Sequence, residues 1–160
     1  MIVTQAWARD TEIPAGIQVQ IDSVKQWASD NGLEYEMLEF DGKDNPSLES
    51  NEFRMRRALD NPEMLWVDCD VTFNAPLPDL KEGFTPGKPF FSKLSKISVC
   101  VGIFYVNNCT SFFEKFWKEQ ERRQVPMTNL NWTSKILNRW YFRVEEFPAI
   151  YTHTFHTMGA

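Results

Sequence analysis

The stretch Glu63-Met64-Leu65-Trp66-Val67-Asp68-Cys69-Asp70-Val71 is an apolar run that ends in two aspartates separated by one residue. Such a run reads as a buried strand, whose period-two geometry turns Asp68 and Asp70 to one side and Cys69 to the other. Two carboxylates that leave a strand end side by side repel each other at neutral pH unless a cation or a proton lies between them. Oxygen ligands of this hardness suit Mg2+ or Mn2+, ions that join one or two protein carboxylates to substrate phosphates. A solvated turn containing Asp-X-Asp is the plain competitor. Only the position of the pair in the fold can separate the two readings.

Two strand and helix units precede the pair. Residues 1–7 form a short apolar start that predicts a first strand. Ile17, Ile21, Val24 and Ala28 then fall at helical spacing, with Pro14 near the start and Asn31-Gly32 as a stop. Residues 33–40 predict a second strand, 41–46 a loop, and 47–60 a helix that carries Phe53, Arg54, Arg56 and Arg57. With 63–70 as the third strand, the order is that of a parallel sheet covered by helices, where ligands collect beyond the carboxyl ends of the strands. Asp68 and Asp70 stand at that end. After Ala75-Pro76-Leu77-Pro78 comes a loop bearing Gly and Pro, then expected strands over 89–94 and 99–106, the second containing Gly102. Ser111-Phe112-Phe113-Glu114 has the spacing of a capping box, and Phe113, Phe116 and Trp117 give the helix behind it an aromatic inner face. A further helix is expected over 128–140 and a last strand over 143–152. No internal repeat or linker divides the chain, so residues 1–160 are read as a single α/β domain with a mixed, largely parallel central sheet flanked by helices.

Composition narrows the function classes. With 42% hydrophobic residues, 13 Phe and 6 Trp, the chain carries enough apolar surface for a folded core. The 17 Lys+Arg against 22 Asp+Glu give a net charge of -5, which disfavours non-specific nucleic-acid binding. The chain opens without a signal-peptide pattern, and no apolar run approaches the roughly 20 residues needed to cross a bilayer. A cytoplasmic location is therefore expected. Cys69, Cys100 and Cys109 are an odd set without zinc spacing, which favours reduced core thiols over disulfides.

The third strand with its aspartates, Ser50-Asn51-Glu52-Phe53-Arg54 before it and Pro76-Leu77 after it resemble nucleotide-sugar glycosyltransferases of the GT-A fold. In the branch with a DXD sugar-binding region, a Ser-Asp-X-X-Arg segment precedes the acidic motif by about one helical element; here Asn51 stands for the aspartate, and Asn61-Pro62 replaces a glycine pair. Val101-Gly102-Ile103-Phe104-Tyr105-Val106-Asn107 and His156-Thr157-Met158-Gly159 are similar to two segments of the glycogenin-like branch. The resemblance implies a transferase that moves a sugar from a nucleoside diphosphate donor, UDP-linked by analogy, to an acceptor such as a glycan. It further implies Mn2+ or Mg2+ as cofactor, with Asp70 as metal ligand, Asp68 at the ribose and within reach of the metal, and His156 completing the site. The metal would neutralise the diphosphate leaving group while the anomeric carbon gains oxocarbenium character. Arg54 would orient the aspartates or take up phosphate charge. Thr4, Gln5 and Ala6 would lie near the base, and Gly102 would permit close approach of sugar or acceptor.

Each role has a rival. Arg54, beside Arg56 and Arg57, could belong to a solvated helix face, Gly102 could mark a bulge, and Trp66 and Trp7 are better read as core. Lys88 and Lys93 could meet phosphate or solvent. Relatives carry a carboxylate at the start of the late helix where this chain has Asn129-Leu130-Asn131-Trp132, so no general base is identified, with Glu145 and Glu146 as weak substitutes. Asp68-Cys69-Asp70-Val71-Thr72 also fits the nucleophile motif of haloacid-dehalogenase-type phosphatases, in which Asp68 would attack phosphorus. That motif usually closes the first strand, and the rest of its metal site is not found here. A non-catalytic nucleotide-binding module of the same fold is the third reading.

Overall fold

Asymmetric packing of one central strand organises the chain. A computed structural model describes residues 1–87, 100–124 and 151–153. In β3 (Glu63–Val67), Met64, Leu65, Trp66 and Val67 are all buried, as expected of a strand covered on both faces. Alternation divides them: Met64 and Trp66 enter one core, Leu65 and Val67 the other.

β1 (Ile2–Ala8) lies parallel to β3 on one side and to β2 (Glu34–Phe40) on the other, with Thr4 facing Trp66 and Glu36 in register. On its far side β3 pairs antiparallel with β6 (Cys100–Asn107), which pairs antiparallel with β5 (Gly83–Gly87). The sheet order is β2-β1-β3-β6-β5, so β6 alone runs against the others in a mixed, largely parallel sheet. Beyond it, β4 (Val71–Phe73) and β7 (Tyr151–His153) form a separate antiparallel pair.

Helices cover both faces. α1 (Ala15–Asp30) buries Ile21, Val24 and Ala28, of which Val24 and Ala28 share a core with Val3, Leu65 and Val67. It stops at Asn31-Gly32, where Gly32 takes a φ of 67° that suits glycine and the Leu33 N–H returns to the Ala28 carbonyl at 2.9 Å. α2 (Pro46–Asp60) and α3 (Thr110–Arg123) cover the other face, where Met55, Ala58, Phe113, Phe116 and Trp117 meet Met64, Trp66 and Phe104. α2 is tied at its start by Glu49, which accepts from the Asp44 and Asn45 N–H groups, and along its length by Arg57, which pairs with Glu36 at 2.8 Å. Among the described residues, no helix is long and apolar enough to cross a membrane.

Three expectations need correction. Residues 83–87, read as a loop because of Gly83 and Pro86, form the edge strand β5; proline's missing donor is tolerated at an edge, and the pairing is irregular between Pro86 and Gly87. Ser111 does not cap α3, because the helix begins earlier: Cys109 is the cap residue and its carbonyl accepts from the Phe112 N–H at 3.0 Å. The third strand stops at Val67, so Asp68 to Asp70 form a turn outside it. The expected elements over 89–94, 128–140 and most of 143–152 lie outside the described residues.

Phe113 sits at full burial among Phe84, Phe112 and Phe116. Replacing it with Ala should lower the unfolding free energy by about 4 kcal/mol in a urea titration. A loss below about 1 kcal/mol would contradict its place in the core.

Candidate functional site

One residue beyond β3, the Asp68 N–H still donates to the Gly102 carbonyl of β6 at 2.7 Å, after which the Val71 N–H closes the turn onto the Asp68 carbonyl at 3.1 Å. Strand parity leaves the Asp68 side chain on the face of Trp66, where α2 passes. The Trp66 indole Nε1–H donates to Asp68 Oδ1 at 2.8 Å, and Arg54 Nη1 lies 3.0 Å from both carboxylate oxygens. Arg54 Nη2 donates to Asn51 Oδ1, one helical turn earlier. Arg54 is 7% exposed and Asn51 3%, so this arginine belongs to a buried polar cluster and not to a solvated face. Its neighbours differ: Arg56 lies 3.9 Å over the Trp117 ring, and Arg57 pairs with Glu36.

Below the turn, Gln5 donates through Nε2 to the Asp68 carbonyl at 3.3 Å and accepts at Oε1 from the Tyr35 hydroxyl at 3.0 Å. The Cys69 thiol donates to the Ala6 carbonyl at 3.3 Å. Burial, seconded by the Asp68 carboxylate, pushes its pKa up to about 12. A nucleophilic thiol is the opposite case.

A cleft of about 430 Å³ opens at the carboxyl ends of β1, β2 and β3. It is lined by the acidic turn Asp68, Cys69 and Asp70, by the apolar Ala6, Trp7, Ala8, Ile17 and Phe40, and by Pro46 and Ser50 of α2. Trp7 is fixed by its indole N–H on the Thr11 carbonyl at 3.1 Å. Gly42 lets the β2–α2 loop close onto this wall, since a Cβ there would lie 2.6 Å from the Ala8 Cβ.

The structure thus gathers Asp68, Asp70 and Ala6 at the cleft. Arg54 and Gly102 lie behind it and hold Asp68. Thr4 and Gln5 are buried, with the Thr4 hydroxyl donated to Glu36 at 2.7 Å and the Gln5 amide spent on Asp68 and Tyr35. His156, Lys88, Lys93, Asn129 to Trp132, Glu145 and Glu146 lie outside the described residues. β7 pairs with β4 so that His153 faces Val71 in register, next in sequence to the acidic turn. Cys69 as a lining residue, and Trp66 and Gln5 as holders of Asp68, were not foreseen. The two-residue spacing of Trp66 and Asp68 was the available signal, because it sets both on one face while the strand lasts.

The high thiol pKa has a testable consequence. With its pKa pushed up to about 12 and its side chain buried, Cys69 stays a thiol at pH 8, so iodoacetamide should leave it unmodified in the native protein and alkylate it after guanidinium unfolding, as read by peptide mass spectrometry. Rapid alkylation of the native protein at Cys69 would contradict the burial described.

No protein-family model and no curated protein matches this chain. Solved structures do. A glycosyltransferase involved in the glycosylation of the major capsid of PBCV-1 is similar over 74% of this chain and 66% of its own, with a TM-score of 0.51 at 13% identity. The apo-form glycosyltransferase GlyE of Streptococcus pneumoniae TIGR4 is similar over 88% of this chain and 42% of its own, with a TM-score of 0.52 at 16% identity. The chain therefore spans less than two thirds of either protein. At such identities the likeness concerns the fold, and the mixed α/β architecture found here is the one these glycosyltransferases share.

Proposed function

We propose that the chain is a metal-dependent glycosyltransferase domain of GT-A type, which takes a sugar from a nucleoside diphosphate donor, UDP-linked in our reading, and passes it to an acceptor such as a glycan. The observation that carries this reading is the position of Asp68 and Asp70 beyond the carboxyl end of β3, where they line a cleft whose other lining residues are mostly apolar. The glycosyltransferase fold of the similar structures supports it.

The donor set suits a hard divalent cation. Among the described residues no three His, Cys, Asp or Glu side chains converge into a cage. Mg2+ and Mn2+ keep waters and take substrate phosphate oxygens beside one or two carboxylates, which Asp68 and Asp70 could supply. Asp70 and Asp68 would hold the ion, with His156 as the third ligand. Once bound, it would neutralise the diphosphate as the sugar leaves.

The remaining work falls to the chain itself. Arg54 keeps the Asp68 carboxylate in place and offsets part of the acidic charge of the turn. Ala6, Trp7, Ile17 and Phe40 would offer the nucleoside apolar surface in the cleft. The phosphatase alternative fits less well. In that chemistry the aspartate motif usually closes the first strand of the fold, whereas here it follows the third strand, β3.

Calorimetric titration of UDP in the presence of Mn2+ tests the reading. Wild type should bind, and Asp70→Ala should lose more than about tenfold in affinity. Absence of Mn2+-dependent UDP binding in wild type would sink the donor site, and release of phosphate from phosphomonoesters would promote the phosphatase.

A further inference from the structure

Asp68 is held at each of its polar atoms. Its N–H donates to Gly102, its carbonyl accepts from Val71 and Gln5, Oδ1 accepts from Trp66 and Arg54, and Oδ2 from Arg54. We propose that Trp66 and Gln5 are positioning residues for the cation end of the cleft: Trp66 selects which oxygen of Asp68 is presented, and Gln5 fixes the turn that delivers Asp70. The proposal rests on the donor-site reading above.

Trp66 is 1% exposed, and its ring lies 6.3 Å from both Phe53 and Phe104. Packing alone would be served by a phenylalanine. An indole buried there must find an acceptor for its N–H, and the acceptor it finds is a carboxylate that lines the cleft. With Oδ1 accepting from both Trp66 and Arg54, Oδ2 accepts only from Arg54 among the described residues. Oδ2 is thus the oxygen with lone-pair capacity left for a ligand in the cleft.

Gln5 works from the opposite side of the same residue. It is fully buried in β1, where a polar side chain is tolerated only when satisfied, and both ends of its amide are used. One end pins the carbonyl that also accepts from Val71, so the chain between Asp68 and Val71, including Asp70, is tied to the central strand β1. Tyr35 on β2 closes the network at the Gln5 carbonyl oxygen. The acidic turn is therefore braced by all three parallel strands.

UDP binding with Mn2+, measured by calorimetry on two variants and one packing control, tests the proposal. Trp66→Phe removes the donor and retains a ring. The double variant Gln5→Met with Tyr35→Phe removes both ends of the second contact, so that no polar group is orphaned. Each should weaken Mn2+-dependent UDP binding by about tenfold, with the melting temperature tracked in parallel. Phe104→Leu loosens the packing around Trp66 without touching Asp68, and should leave the affinity within about twofold even where it lowers the melting temperature as much. Wild-type affinity in both variants, or an equal loss in Phe104→Leu, would overturn the positioning role alone. No binding in wild type would overturn the donor site and this role with it.

Discussion

A guanidinium buried under the end of a sheet must have a counter-charge within reach, and Arg54 meets that demand on Asp68. Much of the local structure follows from this pairing. α2 must lie close enough to β3 for the contact, which the shared core of Met55, Ala58, Met64 and Trp66 secures. The Asp68 carboxylate must point back toward Trp66 and α2, and the chain then leaves the strand in a turn. Asp70 is carried to the cleft by that turn. A solvent-exposed pair would impose no such geometry, since exposed ion pairs contribute about 1 kcal/mol or less.

The sheet provides what the pair cannot. Three parallel strands end together, and their ends enclose the cleft between α1 and the start of α2. The reversed strand β6 contributes a backbone acceptor, the Gly102 carbonyl, which extends the pairing of β3 by one residue and delays the turn until Asp68 is anchored. The two faces of the sheet differ in kind: rings of Trp66, Phe84, Phe104 and Phe113 fill the α2 and α3 side, while Val3, Val24, Leu65 and Ile103 fill the α1 side. Division of this sort follows from the alternation of β3 and fixes its register.

Much of this was legible in the residues. The spacing of Ile17, Ile21, Val24 and Ala28 gave α1 its inner face, Asn31-Gly32 marked its end, and the apolar run before Asp68 marked the central strand. Local patterns suffice when a single face or a single backbone conformation decides the outcome. They misled at β5, where Gly83 and Pro86 carry loop propensities that an edge position tolerates. They misled again at the end of β3, where the strand expected to run to Asp70 gives way to a turn after Val67. The roles of Trp66 and Gln5 depend on hydrogen bonds between strands, and periodicity carries no information about those. Arg54 was ambiguous for a related reason: its burial arises from the packing of α2 on β3, whereas Arg56 and Arg57, of the same type and on the same helix, meet Trp117 and Glu36.

The central claim, that Arg54 clamps Asp68 so that Asp70 can meet a cation-bound diphosphate, is tested most directly by a crystal structure of the chain soaked with Mn2+ and UDP. An anomalous Mn2+ peak is expected at about 2.2 Å from an Asp70 carboxylate oxygen, with the diphosphate beside it and Arg54 still paired with Asp68. Mn2+ and diphosphate bound away from Asp70, or Arg54 swung off Asp68 onto the phosphates, would contradict it.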